Sequence, residues 1–221
     1  DYFTFFFIFC QEAGNSVTAI YAVKNTILLG ISNYLIKVNA DSIENWHIIK
    51  LFDDQVIRSI YQDIDDIIWL GTEKNGLYKY LIEDNQLEQV FLFEDDLTNH
   101  INYLDRFGDH LWIATKNGII KYNVKTNEKI VFNTSTGLPH NNISHLFVDI
   151  NENVWVSTQS NDMYVIKEDH IIKHKISNNS EIIKVNAITQ DSNNRMWLAT
   201  YGNGVYLFEK DSFINLNINH G

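Results

Sequence analysis

The side chains best equipped for chemistry are eight histidines, 28 carboxylates and a set of amides that recur beside glycine. His170 and His174 stand four apart in a stretch that reads as an outer strand. There the pair would share a face but sit ~13 Å apart at about 3.3 Å per residue, too far for one metal ion. His140 and His145 are separated along a strand in the same way, so no metal site is expected. The acidic pairs Asp65-Asp66 and Asp95-Asp96 read as solvated turns. A Gly-rich phosphate loop, a nucleophile elbow and a repeated close carboxylate pair are all missing from the sequence, so it assigns no catalytic residue and no cofactor. Hydrogen bonding and ring stacking from turn residues are the chemistry that remains.

The elements that would carry those turns follow from composition. At 221 residues and 45% hydrophobic, the chain can bury a core as one large domain or as a repeat array. Ile, Tyr, Phe and Val suit a pleated, half-buried surface, and the abundant Asn suits turns, so the composition leans to all-β. The net charge of -11 comes without any Lys/Arg block, which argues against a nucleic-acid face. A single cysteine, Cys10, excludes an internal disulfide framework and leaves the redox compartment undiagnosed. The opening DYFTFFFIFC is apolar but too short to span a bilayer. Residues 1–13 are read as the remnant of a signal peptide, in preference to a strand.

A period organises the rest. Trp69-Leu-Gly-Thr72, Trp112-Ile-Ala-Thr115, Trp155-Val-Ser-Thr158 and Trp197-Leu-Ala-Thr200 recur at spacings of 43, 43 and 42 residues. A weaker copy, Leu28-Leu-Gly-Ile31, lies 41 residues before the first. Each copy has an alternating run before the Trp, a polar turn, the Trp strand, a Gly or Asn turn, a third strand rich in aromatics and a looser fourth strand. Short period-2 runs separated by turn chemistry predict an antiparallel four-stranded meander per copy. A repeated meander of this length predicts a β-propeller with about five blades, approximately 16–52, 55–94, 99–134, 141–177 and 183–217, within a domain spanning 14–221. Trp69, Trp112, Trp155 and Trp197 are its structural anchors, each expected to wedge against the neighbouring blade. The small residue two places on (Gly71, Ala114, Ser157, Ala199) shares the face of the Trp and is expected to make room for the next blade's aromatic. No helical-solenoid periodicity is present.

At these residues the chain resembles the two-component regulator propeller repeat family. The pattern N-x-V-x-x-I-x-x-D, a turn, then W-[IL]-G-T is met by Asn141-x-Ile143-x-x-Leu146-x-x-Asp149 and Trp155-Val-Ser-Thr158. The phrase Thr136-Gly137-Leu138-Pro139 is similar to that family's interblade loop. The first copy departs by lacking its Trp, and the third has Phe107 where Asp is expected. The resemblance covers roughly residues 16–217 and implies an incomplete, open part of a seven-bladed propeller. It also implies an extracytoplasmic, membrane-tethered input module of a receptor histidine kinase, often one answering to polysaccharide breakdown products. Partners implied are further blades and downstream signalling modules of the same polypeptide, and a homodimer through the full receptor; no kinase motif lies within this sequence.

Propeller geometry would gather the second-to-third-strand turns and the interblade loops on one face, at the channel mouth. That face is expected to carry Lys74, Asn75, His100, Lys116, Asn117, His140, Asn141, Asn142, Gln159, Asn161, Tyr201 and Asn203. Amides, aromatics and a few charges there can hydrogen-bond the hydroxyls of an oligosaccharide and stack on its rings. The leading expectation is a non-catalytic sensor of carbohydrate. A protein-interaction scaffold and a propeller lyase or glycoside-active enzyme are the alternatives.

Overall fold

Turn residues cut the chain into strands of four to nine residues, which the computed structural model describes over residues 17–53, 55–63, 67–82, 84–158, 162–176 and 183–216. The first sheet is β1 (Val17–Val23), β2 (Thr26–Ile31), β3 (Tyr34–Asn39) and β4 (Ser42–Lys50). The second is β5 (Ile57–Gln62), β6 (Ile67–Thr72), β7 (Leu77–Leu81) and β8 (Gln86–Val90). The third is β9 (Ile101–Phe107), β10 (His110–Thr115), β11 (Gly118–Asn123) and β12 (Lys129–Phe132). The fourth is β13 (His145–Val148), β14 (Val154–Ser157), β15 (Asp162–Lys167) and β16 (His170–Lys175). The fifth is β17 (Val185–Gln190), β18 (Met196–Thr200), β19 (Val205–Glu209) and β20 (Ser212–Leu216). Every sheet is made solely of its own four consecutive strands in sequence order, so each repeat folds as one meander. The residues read as a signal-peptide remnant lie outside the described part.

The chain divides into two compact units, 1–104 and 105–221, with the boundary inside β9. In the first unit, Leu28, Leu35 and Phe52 of the first repeat pack against Ile57, Ile60, Ile68, Leu70 and Tyr80 of the second. In the second unit, Trp155, Met163, Val165 and Ile176 pack against Ile183, Val185, Ile188, Met196, Leu198 and Tyr206. Each such residue contributes roughly 1.5–3 kcal/mol by leaving water, so these sheet-to-sheet interfaces hold the repeats together.

The small residue on the second strand does admit the next sheet at Gly30, Gly71 and Ser157, but the guest is not an aromatic. A Cβ built on Gly71 would lie 2.4 Å from Cγ2 of Ile101, the residue that opens β9. At Gly30 the guest is Ile57, which opens β5, with Cγ2 3.0 Å from the same imaginary Cβ. Ser157 reaches the same place with its hydroxyl, which donates to the Val185 carbonyl at 2.7 Å. A β-branched side chain is favoured because it is compact near the backbone and stiff at χ1, which suits a close approach between strands.

The Trp rings are held by more than stacking. Trp155 wedges as expected, with Phe208 of the next sheet edge-on at 5.0 Å and His174 of its own sheet stacked at 6.2 Å. The indole Nε1–H of Trp69, Trp155 and Trp197 donates to Asp63, Asp149 and Asp191 at 2.9, 2.9 and 2.8 Å. Each of those carboxylates also accepts a backbone N–H four residues on, from Ile67, Asn153 and Arg195. One Asp thus closes the first-to-second-strand turn and fixes the ring. Bonds from Trp197 above all, with Arg195 and Asn193, hold the Asp191 carboxyl down at about 2. The third repeat, with Phe107 at this place, uses the tight Gly108-Asp109 turn instead, Gly108 taking φ +54. Its Trp112 stacks on Phe132 at 5.8 Å and lies under the Lys121 ammonium.

Candidate functional site

The second-to-third-strand turns are built by the Thr that ends each Trp strand. The hydroxyls of Thr72, Thr115 and Thr200 donate to the carbonyls of Gly76, Gly118 and Gly204 at 2.8, 2.9 and 2.6 Å. In turn, Thr72 and Thr115 accept the backbone N–H of Asn75 and Asn117. Gly76 and Gly118 have φ of +78 and +113, a left-handed region that a side chain would strain.

These turns meet the loop that leads into the following sheet. Gly76 N–H donates to the Asn99 carbonyl at 2.8 Å in the first unit, and Gly118 N–H to the Asn141 carbonyl at 2.7 Å in the second. Asn141 does more. Its Nδ2 reaches Asn117 Oδ1 at 3.3 Å, and its Oδ1 accepts the Thr134 N–H at 2.8 Å. Thr134–Thr136 form a short 3₁₀ turn capped by Asn133 and ended by Gly137 at φ +114, which is the structure behind the Thr136-Gly137-Leu138-Pro139 phrase.

The predicted face therefore sorts into two groups. Asn117 and Asn141 spend their side-chain amides on architecture, and Asn75 and Asn203 their main-chain carbonyls. Asn117 and Asn141 bind each other, the Asn75 carbonyl accepts from Gln89 Nε2 at 2.8 Å, and the Asn203 carbonyl accepts from Asn215 Nδ2 at 2.9 Å. His100 is buried in the loop before β9. Lys74, Lys116, His140, Asn142 and Tyr201 are exposed. Tyr201 is 74% exposed, and the Lys184 ammonium stands 5.9 Å from its ring centre. Gln159 and Asn161 lie outside the described residues. The contacts bring together Asn117 with Asn141, and the Asn75 turn with the Asn99-His100 loop; each pair lies within its own unit.

The other residues first singled out for chemistry have ordinary duties. His174 lies between Trp155 and Phe208, and the His170 ring is 2.8 Å from the Glu168 carbonyl. His145 is buried on β13, and that burial lowers its pKa to about 4, so it is neutral at physiological pH.

Sequence reasoning missed two features. The Asp-to-Trp spacing of six recurs at 63/69, 149/155 and 191/197 and was visible as a pattern. Asp105 has no repeat counterpart to announce it. It is largely enclosed, and desolvation raises its pKa to about 6 against the pull of two backbone N–H groups. Those donors are Val148, in the next sheet, and Arg106, both at 2.8 Å.

Three segments of the chain, 50–74, 137–160 and 180–202, match the family model described as Two component regulator propeller. A relative named Histidine kinase P4, from Formosa agariphila, is 28% identical over 181 residues, covering 73% of this chain and 13% of that protein. The chain thus spans about an eighth of the curated relative it matches. Among solved structures, the extracellular domain of a proposed hybrid two component system, BT3049 from B. thetaiotaomicron, superposes with a TM-score of 0.72 at 18% identity. That alignment takes in 90% of this chain and 30% of the other. Virginiamycin B lyase from Staphylococcus aureus superposes with a TM-score of 0.75 at 14% identity, over 91% of this chain and 70% of that one. At such identities the likeness is one of fold, and the fold is that of β-propellers. The matched segments take in the first two strands of the second, fourth and fifth sheets of this all-β chain, so it is there that the chain is similar to the two component regulator propeller repeat.

Proposed function

We propose that the chain is a non-catalytic, ligand-sensing propeller segment of an extracytoplasmic two-component receptor, and that its ligand is carbohydrate. The observation that carries the reading is the repeat match, joined to a similarity to a histidine kinase and to an extracellular two-component domain. His170, His174 and the repeated Asp63, Asp149 and Asp191 add support, because their contacts are those of turns and ring anchors. The contact chemistry falls to the exposed residues of the turn face. Tyr201, flanked by the Lys184 amine, offers a flat apolar ring beside a hydrogen-bond donor, the combination that suits a sugar face and its hydroxyls. Lys74, Lys116, His140 and Asn142 add donors around other turns.

The test is a thermal-shift screen of the protein against plant and host oligosaccharides, followed by calorimetry on any hit with Tyr201→Ala. The expected result is stabilisation by one glycan class and about a tenfold weaker Kd for Y201A, equivalent to roughly 1.4 kcal/mol. No response to any glycan overturns the carbohydrate assignment. A response untouched by Y201A moves the contact elsewhere on the protein.

A further inference from the structure

In each meander the second-to-third-strand turn and the loops to neighbouring sheets lie at one end, and the other two turns lie at the opposite end. Within the unit 105–221, charge is divided between these ends. The first-to-second and third-to-fourth turns hold Asp109, Glu152, Glu168, Asp169, Asp191 and Asp211. At the other end, the described loop residues 116–117, 133–144, 183–184 and 201–204 contain no carboxylate. They carry the exposed Lys116 and Lys184, in a chain whose net charge is -11. Asp162, which opens β15 at that end, is engaged by Lys173 at 2.7 Å. Lys121, Lys125 and Arg195 also meet carboxylates, whereas Lys116 and Lys184 meet none among the described residues. The Lys184 ammonium stands 5.9 Å from the Tyr201 ring centre. The two residues are tied at the main chain, where the Tyr201 N–H donates to the Lys184 carbonyl at 2.9 Å.

We propose that the ligand of this face is a saccharide bearing an anionic group, carboxylate or sulfate ester, with the Lys184 ammonium on the anion, the Tyr201 ring against the sugar and Lys116 as a second cation. The inference rests on the carbohydrate reading and narrows it. A neutral hydroxyl is both donor and acceptor, so a site built for it supplies acceptors as well as donors. Here the side-chain oxygens of Asn117 and Asn141 already accept from Asn141 and Thr134. Carboxylates are absent from the described loops, and an ammonium only donates. Acceptor-only groups match that offer. Carboxylate and sulfate oxygens also take charge-assisted hydrogen bonds, about twice as strong as neutral ones. Gathering the carboxylates at the opposite turns keeps the repulsion of the chain's excess negative charge away from an incoming anion.

Calorimetry with paired probes tests this: an oligogalacturonate against its methyl ester, and a sulfated galactan oligosaccharide against its desulfated form. The expected result at low salt is that the charged member of at least one pair binds about tenfold tighter than the neutral one. The pair that shows the preference identifies the anion. Lys184→Gln should weaken the charged member by about three- to fivefold and leave the neutral member unchanged. Equal affinity within both pairs overturns the inference and leaves the carbohydrate reading standing, whereas silence from every glycan overturns both. A preference untouched by Lys184→Gln and by Lys116→Gln overturns it too, since the anion then lies elsewhere. Polyglutamate binding as tightly as the charged glycan also overturns it, because an acidic peptide would then satisfy the face without a sugar.

Discussion

Gly71→Ala should destabilise the protein because its new methyl has nowhere to go. The Cβ would sit 2.4 Å from Ile101 Cγ2 and 3.1 Å from Ile101 Cβ, where carbon atoms normally rest about 3.5–4.0 Å apart. Ile101 is fully buried at the head of β9, and its branched side chain has little rotameric freedom, so the backbone must give by about 1 Å. Overpacking of this kind costs about 1–3 kcal/mol, against which the stiffer unfolded chain returns ~0.4–1 kcal/mol. The net expectation is a loss of roughly 1–2 kcal/mol, or a drop in Tm of about 2–8 °C. Gly30→Ala is the internal comparison. Its Cβ would meet Ile57 Cγ2 at 3.0 Å, a shortfall of a few tenths of an ångström, so its cost should be distinctly smaller. Ile101→Ala removes the clashing methyl, and the double variant G71A/I101A should recover at least about 1 kcal/mol relative to the sum of the singles. Urea unfolding of the four proteins decides the matter. The nesting argument is wrong if G71A costs no more than G30A, or if the double-variant cycle shows no coupling.

Two further expectations concern carboxylates. Asp105 has its pKa raised from 3.8 to about 6, so the folded protein holds a proton that the unfolded chain releases earlier. Its contribution to stability therefore falls as pH rises from about 4 to about 6, and the penalty of roughly 1–3 kcal/mol persists above that window. Asp105→Asn keeps an oxygen for the Val148 N–H and should flatten that part of the pH–stability profile; identical profiles for the two proteins would refute the assignment. Asp149→Ala strands the Trp155 indole N–H and the N–H groups of Asn151 and Asn153, so a loss of about 2–4 kcal/mol is expected. Chemical unfolding measures it, and a change below ~0.5 kcal/mol would show that the Asp does not hold the ring.

The repeat and its strands were legible because each sheet is local: a period near 42, alternation within it, and turn residues at fixed offsets. What lay between sheets was less so. The host residues were recognised as small, but the guest was misjudged as aromatic, since nothing in the Gly71 segment specifies that Ile101, 30 positions on, arrives there. The Asn residues looked alike as turn formers and as ligand contacts. Only the folded structure separates Asn141, with three hydrogen bonds to neighbouring loops, from an exposed side chain such as His140. Asp105 was illegible for a similar reason, since its enclosure depends on a strand more than 40 residues away.

The fit between host and guest has a consequence for how such a sequence can drift. Gly faces Ile at two seats, and where the host is the bulkier Ser157 the guest is the slimmer Val185. Volume is shared across these seams, so a gain on one strand must be answered by a loss on the next repeat's first strand. Substitutions at these positions should therefore be accepted in pairs one repeat apart, while the outer strands change singly and freely. A repeat copied or moved with its own linker would work wherever its opener matched the host it met, which makes the seam a grammar for assembling the array.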